Sequence, residues 1–73
     1  MAQEHPIRWY NPKLRGFEWR RVPESDDEAL AALSDSPNTP VCTKTYHEWR
    51  GLGASIAVAL IRAGEAAREA DLG

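Results

Sequence analysis

The sequence predicts a small α+β domain: an antiparallel sheet packed on one short and one longer helix, ending in a frayed C-terminal tail. Three observations predict it. Ile7-Arg8-Trp9-Tyr10 and Phe17-Glu18-Trp19-Arg20-Arg21-Val22 alternate bulky apolar with charged residues, the period of half-buried strands. Ser25-Asp26-Asp27-Glu28 reads as a capping box, which opens a helix. Apolar residues at 46, 49, 52, 56 and 60 fall on one helical stripe.

In chain order, residues 1–6 are a loose polar terminus closed by Pro6. In the first strand Ile7 and Trp9 point one way, Arg8 and Tyr10 the other. Asn11-Pro12 starts a turn, and Gly16 is the residue best suited to a positive φ before the chain returns. In the return strand Phe17, Trp19 and Arg21 share a face, so Trp9 is expected to meet Phe17 or Trp19 across the hairpin. Pro23 ends that strand because it has no amide donor. A short helix from Asp26 to about Ser34 then turns Ala29, Leu30 and Leu33 inward, its acidic first turn suiting the helix dipole. Residues 35–40 are rich in turn formers, and Val41-Cys42-Thr43-Lys44 has the propensity of a third strand. A second capping box, Thr45-Tyr46-His47-Glu48, starts the longer helix at about Tyr46. Gly51 and Gly53 imply a kink in it, or close packing of the hairpin aromatics on bare backbone. Beyond residue 62 only Leu72 is large and apolar, so residues 63–73 are expected to fray while residues 1–62 form one compact domain.

The expected core is Ile7, Trp9, Phe17, Trp19, Val22, Leu30, Leu33, Val41, Tyr46, Trp49, Leu52, Ile56 and Leu60. With 73 residues, a core of that size gives only modest stability. The most apolar window, residues 52–61, is half the length a bilayer needs, and the absence of a run of ten or more apolar residues behind a basic leader argues against a signal peptide. A single cysteine cannot form an internal disulfide, which fits a reducing cytoplasm. Net charge is −2, but residues 1–23 carry five cations against Glu4 and Glu18, and residues 24–40 carry five carboxylates and no cation. Such a dipolar chain suits a protein partner of matching pattern more than bare nucleic acid.

Chemistry-bearing groups are sparse. Cys42, His47 and His5 do not make the four closed ligands of a structural zinc site, so no metal or other cofactor is expected. Cys42 reads as an inert small core residue rather than an activated thiolate. Asp26 and Asp27 sit in water at a helix start, where nothing would tune them for acid–base work, and Gly51-Leu52-Gly53 is not a phosphate loop. An enzyme is not expected. Arg8, Tyr10, Arg15, Arg20 and Arg21 among Trp9 and Trp19 could form a base-stacking platform. Against that, so few other large side chains exist that Trp9, Phe17 and Trp19 are needed inside.

A hairpin, a short acidic capped helix, a third strand and a long alanine-rich helix in 73 residues resemble the compact regulators that lytic bacteriophages make to redirect host transcription. The likeness is to the Xanthomonas phage type that binds host RNA polymerase near the RNA exit channel, and it is one of size and layout. It implies inhibition of initiation by disfavouring the promoter-specificity factor, promotion of antitermination, contact with the N-terminal segment of the β′ subunit, and action in the host cytoplasm. No individual residue is carried over. Physical reasoning places the contact on the hairpin, at Trp9, Tyr10, Glu18, Trp19, Arg20 and Arg21, with Asp26, Asp27 and Glu28 meeting a basic partner segment. An exposed sheet edge could also accept an extended partner peptide. A monomer with little direct affinity for nucleic acid is expected; nucleic-acid binding, or inhibition of another host or defence complex, is the alternative.

Overall fold

The computed structural model describes residues 5–73. Five elements follow one another: β1 (Ile7–Asn11), β2 (Gly16–Arg20), α1 (Asp26–Leu33), α2 (Thr39–Gly51) and α3 (Ile56–Leu72). The α+β architecture is as the sequence implies, with a two-stranded antiparallel sheet beside three helices.

The hairpin closes through local chemistry. The Asn11 side chain accepts from the Lys13 amide at 2.9 Å, and the Asn11 carbonyl accepts from Leu14 and Arg15 at 3.1 and 2.8 Å. The positive φ falls on Arg15 (56°), not on Gly16 as expected. Four residues, 12–15, separate the strands, so paired positions have opposite parity: Trp9 faces Glu18, Tyr10 faces Phe17 and Arg8 faces Trp19. The expected meeting of Trp9 with Phe17 or Trp19 therefore does not occur.

Ser25 caps α1, its hydroxyl accepting from the Glu28 amide at 3.2 Å, as the capping box requires. At the other end of α1, Ser36 and Thr39 hydroxyls donate to the Leu33 carbonyl, which ties α1 tightly to the start of α2. Here the structure corrects the sequence reading: residues 41–44 are not a third strand but part of the first two turns of α2. Pro40 sits at the first positions of that helix, where its missing amide costs nothing. Helical spacing also puts Cys42 and Tyr46 on one buried face, which overrides the strand propensity of Val41 and Thr43. Residues 45–48 are then helix interior rather than a capping box.

Gly51 and Gly53 mark an end and not a kink. The Gly53 amide bonds to the Arg50 carbonyl and the Ala54 amide to the Trp49 carbonyl, both at 3.0 Å, with Gly53 at φ 97°: a Schellman stop. Ser55 then caps α3 by accepting from the Val58 amide at 3.2 Å. The Asn38 side chain donates to the Ala67 carbonyl at the far end, so α2 and α3 run as an antiparallel pair.

The core holds Trp9, Leu33, Cys42, Tyr46 and Leu60 together with Ala29, Ala59, Ala63 and Ala67. Alanines at 59, 63 and 67 form a small-residue stripe on α3, which lets neighbouring backbone approach closely. That stripe is why residues 63–72 are ordered helix and not the frayed tail that a count of large side chains implies. Phe17 and Trp19, expected inside, are 47 % and 66 % exposed, and Val41 and Leu52 also lie outside the core. Among the described residues no helix is long and apolar enough to cross a membrane.

Candidate partner-binding face

α3 fixes the sheet from its β1 side. Gly64 leaves room for the main chain of β1: a Cβ there would overlap the Tyr10 carbonyl oxygen and lie 3.1 Å from Trp9 Cε3. Two turns further on, Asp71 accepts from the Tyr10 hydroxyl at 3.0 Å and stands 3.8 Å from Arg15 Nε. Burial, then this bond, pushes the Tyr10 phenol above its ordinary value.

The two faces of the sheet consequently differ. On one, Trp9 is buried and its indole N–H donates to Glu18 Oε2 at 3.1 Å; the Asn11 amide donates to the same oxygen at 2.8 Å. On the other, Arg8 lies 4.4 Å from the Phe17 ring centroid and Arg68 of α3 lies 5.6 Å from it, both within cation–π distance. Tyr10 meets Phe17 edge-on at 5.5 Å. Trp19, paired with Arg8, stands beside this cluster in solvent. Phe17, Glu65, Arg68 and Glu69 line a surface depression next to it. The result is an exposed aromatic centre with a rim of both charges.

No family model, curated protein sequence or solved structure matches the chain. The site therefore rests on its own geometry.

The nine residues expected to meet a partner separate into two groups. Trp19, Arg20, Arg21 and Asp27 reach solvent, Arg20 only in part. Arg20 lies 5.8 Å from the Trp9 ring, and Arg21 pairs with Glu28 at 2.9 Å and Glu24 at 3.5 Å. The other five make contacts within the fold, Asp26 while staying exposed. Trp9 and Tyr10 are buried, Glu18 holds the hairpin, Glu28 holds Arg21, and Asp26 accepts from both the Tyr46 hydroxyl and Arg50 Nε, the latter at 2.8 Å. Three residues of the face were missed. Arg8 and Phe17 could have been found from hairpin register alone; Arg68 could not, because the tail's helix was not foreseen.

Elsewhere the structure offers little chemistry. Cys42 is buried on α2 with its thiol near the Thr39 carbonyl (3.4 Å), and burial pushes that thiol up, away from reactivity. His47 is exposed, and among the described residues no group of three potential ligands gathers.

The Asp26 network makes stability depend on pH. Arg50 foremost, then Tyr46, holds the Asp26 carboxyl below the usual carboxylate range, while burial foremost, then Asp26, raises the Tyr46 phenol. A lowered carboxyl contributes stability that is complete above its unfolded value, about pH 4, and is lost as pH falls through the folded value. A raised phenol contributes stability that is complete below about pH 10 and is lost above it. Urea titrations should show both declines, and Asp26→Asn should flatten the acid one.

Proposed function

We propose that the protein is a non-catalytic transcription regulator of bacteriophage type that binds bacterial RNA polymerase through the outer face and free edge of its hairpin. The observation that carries the docking face is Trp19, 66 % exposed beside Phe17, in a domain whose core is short of large side chains. Leaving a tryptophan and a phenylalanine in water forgoes burial worth about 1.5–3 kcal/mol for each large side chain, a loss that a bound partner would reverse. Aromatic and arginine side chains clustered at a patch centre are the composition of binding hot spots. The choice of polymerase rests on likeness in size and in part of the layout: the hairpin, the acidic capped helix and the alanine-rich C-terminal helix match, whereas the third strand of that likeness is helix α2 here. On that likeness the regulator disfavours initiation, promotes antitermination through the β′ N-terminal segment, and acts in the host cytoplasm. Exposed Asp27 and Glu24 offer a basic partner segment its counter-charge.

A second reading, binding of single-stranded nucleic acid, gains from the outward position of Phe17 and Trp19 among Arg8, Arg20 and Arg68, since the core does not claim those rings after all. Glu65 and Glu69 at the same depression, with a net charge of −2, oppose a phosphate chain there and favour the protein partner.

Affinity purification of the tagged protein from a bacterial lysate, read by mass spectrometry, should recover polymerase subunits. A labelled single-stranded oligonucleotide should bind weakly in parallel. Tight oligonucleotide binding that falls steeply with salt, without polymerase in the eluate, would replace the first reading with the second.

A further inference from the structure

The outer edge of β2 is open and its sequence is complementary to itself. α3 packs along β1, at Gly64 and Asp71, and so covers that side of the sheet. β2 has β1 as its one strand neighbour, and among the described residues no backbone hydrogen bond reaches its outer edge. Unpaired main-chain groups along Gly16–Arg20 are therefore a template for another strand.

Charge selects what fits. Laid antiparallel against a second β2 with Trp19 on the two-fold axis, Trp19 stands opposite Trp19 and Glu18 stands opposite Arg20, the latter pairing occurring twice by symmetry. Moving the axis to Glu18 sets carboxylate against carboxylate; moving it to Arg20 sets guanidinium against guanidinium. Both of these are repulsive at the centre, and an axis at Phe17 sets Glu18 opposite Gly16 and so forms no ion pair.

We propose that two copies of the chain associate through β2, antiparallel about Trp19, into a four-stranded sheet. The association replaces the monomer expected from sequence with a reversible dimer. Contact along two five-residue edges falls at the small end of interface sizes, under about 1,200 Å². The dimer sets the Phe17 and Trp19 faces of both copies side by side and occupies the edge that a partner strand would use. A partner peptide and a second copy thus exclude each other at β2. The inference concerns the free protein and holds whatever the partner is.

Sedimentation velocity on the full chain, from low to high micromolar concentration, tests it without any partner present. The weight-average mass should climb from 8.1 kDa toward twice that value. Trp19→Lys, which sets two cations on the axis, and Arg20→Glu, which sets carboxylates face to face, should each raise the dissociation constant at least about tenfold, the size expected for like charges in direct opposition across strands. Far-UV circular dichroism establishes that each variant is folded, and Lys44→Glu on the exposed side of α2 should dimerise as the unaltered chain does. A mass fixed at 8.1 kDa at the highest concentration overturns the proposal. So does dimerisation that both β2 variants leave unchanged, or that Lys44→Glu weakens equally.

Discussion

Trp9→Ala should cost about 3–5 kcal/mol, the range for deleting a buried large aromatic. At about 0.05–0.15 kcal/mol per residue, 73 residues hold about 4–11 kcal/mol in all, so this one substitution should remove about half of the stability. Trp9 is 1 % exposed and sits in the cluster with Leu33, Tyr46 and Leu60, where helix packing meets the sheet. Its loss also takes one of the two donors from Glu18. Trp19→Ala, in the same hairpin, should cost under about 0.5 kcal/mol because that ring is already in water. Urea denaturation followed by circular dichroism compares the two directly. Equal losses would mean that the two tryptophans are not divided between core and surface.

Gly64→Ala should destabilise the fold although alanine is the better helix former. Helix propensity alone favours alanine by about 1 kcal/mol. The added methyl overlaps the Tyr10 carbonyl oxygen and crowds Trp9 at 3.1 Å. Main chain cannot swing aside as a flexible side chain does, so the cost belongs at the upper end of overpacking, about 3 kcal/mol. A net loss of about 2 kcal/mol is expected, and more for Gly64→Val. Gly51→Ala is the control: nothing lies within 4 Å of its added methyl, and the same urea titration should show no loss.

The same residues show what a sequence can and cannot reveal. The strands, their turn and the Ser25 cap were legible because each depends on neighbours in the chain. Register was legible in principle. Four residues between Asn11 and Gly16 force odd positions opposite even ones, so Trp9 could never have faced Phe17 or Trp19. The third strand was a failure of local propensity: Val41 and Thr43 favour extended backbone, but Pro40 at a helix start and the buried face shared by Cys42 and Tyr46 decide otherwise. The tail was misjudged for a different reason. Ala63, Gly64 and Ala67 carry almost no apolar weight one by one, yet their smallness is what lets α3 lie against β1 and α2. The acidic run at residues 26–28 was expected to face a partner; within the fold Asp26 and Glu28 also hold Tyr46, Arg50 and Arg21, pairings that tertiary contact sets and the sequence does not show.

The proposed docking of the solvent-facing aromatics of β2 on bacterial RNA polymerase is open to direct measurement. Fluorescence anisotropy of the labelled protein, at concentrations low enough to keep it monomeric, should give saturable binding to purified polymerase. Trp19→Ala should weaken that binding by about thirtyfold or more, the scale of a hot-spot loss near 2 kcal/mol, while its urea midpoint stays close to that of the unaltered chain. Absence of binding by the unaltered protein, or equal affinity for Trp19→Ala, would contradict the account.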